Sequence, residues 1–101
     1  MYLIEILLPL RSNEGRAFAP QALQNVRRDL SGRFGGVTAF TRAPALGETK
    51  EEEGVVQDDI VIFEVMAKDL DREWWRAYRD MLELTFRQNE IVVRATSFEK
   101  L

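Results

Sequence analysis

Four ionisable side chains stand in or beside runs that are otherwise apolar: Glu5 in "YLIEILL", Glu64 in "IVIFEVMA", Arg94 in "IVVRATS" and Arg42 at the end of "VTAFTR". A carboxylate among apolar neighbours has its charged form disfavoured, which raises its pKa and makes it a candidate general base near neutral pH. Guanidinium groups beside it would pair with it, or with the anion of a small organic acid. The same four residues serve equally as a structural ion-pair cluster that fixes strand register, because isolated buried charges are too costly. A second group is aromatic. Trp74, Trp75 and Tyr78 crowd one helical segment, and Trp75 with Tyr78 are candidate pocket aromatics. Adjacent helical positions diverge by about 100°, so one indole is expected in the core and the other at its rim.

What is missing excludes more. The sequence contains neither histidine nor cysteine, so the usual donors for zinc or haem, a thiol nucleophile and an imidazole base are all lacking. Oxygen ligands alone would suit magnesium or calcium, and no residue pattern calls for a metal or a cofactor. A net charge of -3 argues against nucleic acid as a partner. The opening apolar run holds Glu5 and stops at Arg11, too short and too interrupted for a membrane span or a secretion signal. Cytoplasmic location is the expectation.

The elements that must position these residues follow from periodicity. With 101 residues, 46% hydrophobic and 31% charged, the chain fits a single folded domain, 1–101. Tyr2 to Leu8 reads as a strand ended by Pro9 and apolar on both faces, as in a central strand. Leu23, Val26, Leu30 and Phe34 then recur at helical spacing, with Pro20 in the first turn and Gly35–Gly36 as a left-handed stop. Val37 to Arg42 alternates as a short strand, and "DDIVIFEVMAK" is its mate.

A second helix follows, with Asp71 as N-cap and Asn89 as terminator. Trp75, Tyr78, Leu82 and Phe86 form its apolar stripe, and its outer face reads as ion pairs: Arg76 with Asp80, Arg79 with Glu83, Glu83 with Arg87. On the first helix Asp29 is spaced to pair with Arg33. "EIVVRATSF" closes the chain as a fourth strand.

The order β-α-β-β-α-β, with right-handed crossovers, gives a four-stranded antiparallel sheet in the order 4-1-3-2 with both helices on one face, an α+β fold. That order resembles the ferredoxin-like fold, and especially the dimeric α/β-barrel superfamily that uses it in pairs. "FGGVTAF" with "WWRAYRDMLELTFRQNEIVVRA" is also similar to an uncharacterised family of short bacterial proteins, a likeness that implies no known activity. Some dimeric α/β-barrel enzymes work without a cofactor, through aromatic and polar side chains.

Both helices on one side leave the other sheet face uncovered, yet the strands are apolar there too. Leu3, Leu7, Phe40, Ile60, Ile62, Met66 and Val92 fall on that face together with Glu5 and Glu64, and an apolar patch of this kind marks an interface. A homodimer packed through it is the expected assembly. Between the second and third strands, residues 43–58 make a long acidic hairpin loop around "ETKEEE". Signal proteins of the nitrogen-regulatory type place a partner-binding loop at the same point of the topology.

Three functions follow. The leading one is a homodimeric binding or interaction domain without catalysis, open to a small-molecule ligand. The others are a cofactor-independent enzyme acting on a small organic acid, with Glu5 or Glu64 as base and Trp75, Tyr78 or Arg94 shaping the site, and a regulator whose acidic loop engages a partner.

Overall fold

The computed structural model describes residues 1–42 and 60–101 and leaves the Arg42 side chain aside, so the acidic loop expected at 43–58 lies outside the described residues. The elements run β1 (Tyr2–Pro9), α1 (Pro20–Phe34), β2 (Thr38–Arg42), β3 (Ile60–Ala67), α2 (Arg72–Thr85) and β4 (Val92–Ser97). All strand pairs are antiparallel and the sheet order is β2-β3-β1-β4. This is the α+β arrangement the periodicity predicts, with β1 in the centre between β3 and β4.

Alternation along the strands decides what each face does. Ile4, Ile6 and Leu8 of β1 and Val61, Phe63 and Val65 of β3 are buried in one cluster with Val26 and Leu30 of α1. From α2 the stripe Trp75, Tyr78 and Leu82 joins it, followed by Phe86 and Ile91. The intervening residues Leu3, Glu5 and Leu7, and Ile60, Ile62, Glu64 and Met66, therefore project to the opposite face, which neither helix covers.

The helix ends show how local chemistry sets the boundaries. Pro20 occupies the first turn of α1, and Gly35 closes it at φ 80° with its amide donating to Ser31 O. At the start of α2 the Asp71 carboxylate accepts from the Trp74 amide at 3.1 Å. The other end corrects the sequence expectation. Helix α2 stops at Thr85, and the left-handed residue is Arg87 (φ 52°), not Asn89. The Arg87 amide donates to Leu84 O and the Gln88 amide to Glu83 O, the paired bonds of a Schellman closure. Ending there lets Phe86 and Ile91 both enter the core, at 0% and 2% exposure.

The ion pairs expected on the helices are also rearranged. Asp80 accepts from Arg79 at 3.0 Å, Glu83 accepts from the Ile91 amide at 3.0 Å, and Asp29 accepts from the Tyr78 hydroxyl at 3.1 Å. Arg33 reaches Asp71 at 3.5 Å and lies 4.3 Å from the centre of the Trp74 ring. The Ile91 amide takes Glu83 from Arg79, Arg79 takes Asp80 in its place, and Arg76 is left without an ion pair among the described residues.

Candidate functional site

Two places bring chemistry-bearing residues together. The first is the uncovered sheet face. Glu5 stands directly opposite Glu64 on β3 and opposite Arg94 on β4, so the central strand holds a carboxylate between a like charge and a countercharge. Arg94 Nε donates to Glu5 Oε1 at 2.8 Å, with the arginine side chain 50% and the glutamate 17% exposed. Glu64 accepts no ion pair among the described residues; its strand neighbour on the other side is Thr38. Loss of hydration, and after it the charge and hydrogen bonding of Glu5, push the Glu64 carboxyl above its ordinary range.

By strand register the Arg42 backbone lies apart from this trio. It pairs with Ile60, four residues along β3 from Glu64, which is about 13 Å at the usual strand rise. The reason is register: Thr38, at the other end of β2, is the residue set against Glu64.

The apolar residues of the face surround the charges. Ile62 is 3% exposed although it lies outside the helix-side core, and Leu7 and Phe40 flank it across the two strand pairs. Leu3, Leu7 and Ile60 are half-buried, while Phe40, Met66 and Val92 are exposed.

The second place is a cleft of about 190 Å³ between α2 and the β4 edge. Its apolar lining comes from Ile4, Leu70, Trp75 and Val93. Its polar lining is arginine, Arg72, Arg76 and Arg79 from successive turns of α2, with no carboxylate; Arg94 of β4 also borders it but carries its guanidinium to Glu5 on the other sheet face. Sequence spacing assigns Arg76 and Arg79 to helical ion pairs and does not single out Arg72. The signal that could have found them is "RxxxRxxR", which puts three cations on one helix face without an acid at the same positions.

Of the two expected pocket aromatics, Trp75 reaches this cleft and Tyr78 does not. Trp75 is buried against Phe34, ring centres 5.2 Å apart, while Trp74 lies at the rim, stacked on Tyr78 at 4.9 Å. The Tyr78 hydroxyl is spent on Asp29; burial first, and then that carboxylate, raise its pKa far above the physiological range. Tyr78 is thus a neutral hydrogen-bond donor tying α2 to α1. Among the described residues no cluster of carboxylates could hold a metal ion, and no helix is long and apolar enough to cross a membrane.

No protein-family model matches the chain, and no curated protein matches it in sequence. Among solved structures it is similar to a phage SAM lyase in complex with S-methyl-5'-thioadenosine, with a TM-score of 0.63 at 14% identity, over 95% of this chain and 80% of that one. At that identity the likeness is one of fold: a sheet of this topology carrying its two helices on one side.

Proposed function

We propose that the protein is a homodimeric binding domain in which two copies pack through the uncovered sheet face, as in the dimeric α/β-barrel superfamily its topology resembles. One observation carries this reading: Phe40, Met66 and Val92, 43%, 53% and 43% exposed, stand on a single face around the buried Ile62. Apolar side chains gathered on one side of a sheet gain by meeting a second surface, and a two-fold axis supplies an identical one.

Sedimentation velocity at micromolar concentration tests this. The expected species is twice the 11.7 kDa chain mass, and Met66→Arg, on the exposed part of the face, returns it to a monomer with unchanged far-UV circular dichroism. A parent protein that sediments as a monomer sinks the proposal.

A second reading has its own support. The fold is shared with a SAM lyase holding S-methyl-5'-thioadenosine, and the uncovered sheet face gathers Arg94, Glu5 and a Glu64 carboxyl pushed above its ordinary range, a polar trio that could serve a small organic acid. On that reading the chain is a cofactor-independent enzyme. Turnover without added metal or cofactor, lost in Glu64→Gln or Glu5→Gln with assembly intact, would favour it over a binding domain.

A further inference from the structure

The cleft between α2 and β4 differs in composition from the surface around it among the described residues. The protein as a whole carries a net charge of -3, yet three arginines of α2, Arg72, Arg76 and Arg79, and no carboxylate line this hollow. Arg79 already has a partner in Asp80, and Arg94, at the border of the hollow, turns to Glu5 on the other sheet face. Arg72 and Arg76 have none among the described residues, and both are exposed. They lie four residues apart on one helix face, where like charges repel. Arg72 is also the first residue of α2, so its cation meets the positive end of the helix dipole. Two unfavourable placements side by side are relieved together by one anion set between the guanidinium groups.

The other half of the lining is apolar. Trp75 is 5% exposed and Ile4 1% exposed, and no side-chain hydrogen bond among the described residues uses the Trp75 indole N–H, unlike the Tyr78 hydroxyl, which donates to Asp29. A volume of about 190 Å³ holds roughly six waters at ~30 Å³ each. It is smaller than the ~300 Å³ at which drug-sized pockets begin. An inorganic ion would leave the indole wall unused, and a neutral aromatic would leave the guanidinium groups unpaired.

We propose that this cleft binds a small organic anion, a compact aromatic or apolar body carrying one carboxylate or phosphate, with Arg72 and Arg76 taking the anion and Trp75 packing on the body. Guanidinium groups accept either anion through paired N–H donors, so the shared chemistry is the planar or tetrahedral oxyanion. The site is built by α2 and β4 of one copy, apart from the apolar patch proposed for assembly; a protein found to be monomeric would keep it.

Titration calorimetry on the full chain, with tryptophan fluorescence alongside, tests the site using benzoate, phenyl phosphate, benzamide and inorganic phosphate as probes. Saturable binding of benzoate or phenyl phosphate is expected, with weaker binding of inorganic phosphate and none of benzamide; the tighter of the two aryl anions identifies the headgroup. Arg72→Gln with Arg76→Gln should weaken that binding about tenfold or more, and Arg28→Gln, on α1 beside Asn25, should not change it. Thermal unfolding of the double variant checks that it folds, and Arg76→Glu alone gives a second reading of the same contact. The proposal is overturned if neither aryl anion saturates below about 10 mM, if the double variant binds them as the parent does, or if benzamide binds equally well.

Discussion

Glu64→Gln gives a sharp test of how the sheet face is held. Glu64 stands directly across the β1–β3 pair from Glu5, and the countercharge of that trio, Arg94, is bonded to Glu5. Burial and the Glu5 charge raise the Glu64 pKa. The folded state therefore holds its proton to higher pH than the unfolded chain does. Between the ordinary value of 4.5 and the raised one the folded state binds more protons, so stability falls as pH rises through that window. The stabilising contribution is complete below the ordinary carboxylate range and is gone above the raised value.

Glutamine carries no charge at any of these pH values. Like charges directly opposite in a sheet cost roughly 0.2–1 kcal/mol, so at pH 7 the variant should be more stable than the parent by about that amount. For a domain of this size that is a rise of roughly 1–8 °C in melting temperature. Near pH 4 the two proteins should converge. Urea unfolding at fixed protein concentration, from pH 4 to pH 8, measures the difference, with concentration held because assembly would add its own term. A variant less stable than the parent at pH 7 refutes the reasoning, because it would mean that the Glu64 carboxylate has a favourable partner.

Two further outcomes follow from named contacts. Arg94→Gln removes the guanidinium that Glu5 accepts from at 2.8 Å and leaves two facing carboxylates; because the pair is partly exposed the loss should be only about 1 kcal/mol, read as a lower urea midpoint and narrowed by salt. Asp71→Ala takes away the acceptor for the Trp74 amide and the contact with Arg33, and should cost about 1 kcal/mol in the same assay.

Local signals carried most of the fold. Leu23, Val26, Leu30 and Phe34 recur at helical spacing and line α1 against the sheet, and Pro20 and Gly35 bound it where a missing N–H and a left-handed φ are tolerated. The end of α2 was less legible because its cause is not local. Asn89 is the better left-handed residue by type. Ending the helix at Thr85 and turning the chain at Arg87 places Phe86 and Ile91 in the core together, and burying two such side chains, at about 1.5–3 kcal/mol each, outweighs the roughly 1–2 kcal/mol cost of a non-glycine residue at positive φ.

The charged residues divide in the same way. Alternation alone put Glu5, Glu64 and Arg94 on one face, because a strand's period of two leaves no choice once Ile4, Ile6 and Leu8 are buried. It could not place Arg42, whose neighbours depend on the β2–β3 register, and that register sets Arg42 against Ile60. The arginines of α2 were hidden for a different reason. Arg76 and Arg79 each have an acid four residues on, and sequence spacing reads such pairs as neutralised. In the fold, Asp80 is held by Arg79 and Glu83 by the Ile91 amide. An ion pair on an exposed helix is worth only about 0.3–0.5 kcal/mol, less than a hydrogen bond to an otherwise unpaired backbone N–H at the entry to a strand. The weaker attraction yields: Arg79, without Glu83, turns to Asp80, and Arg76 is left facing the cleft with Arg72. The cationic character of that hollow comes from competition for the carboxylates, which no count of charges along the chain records.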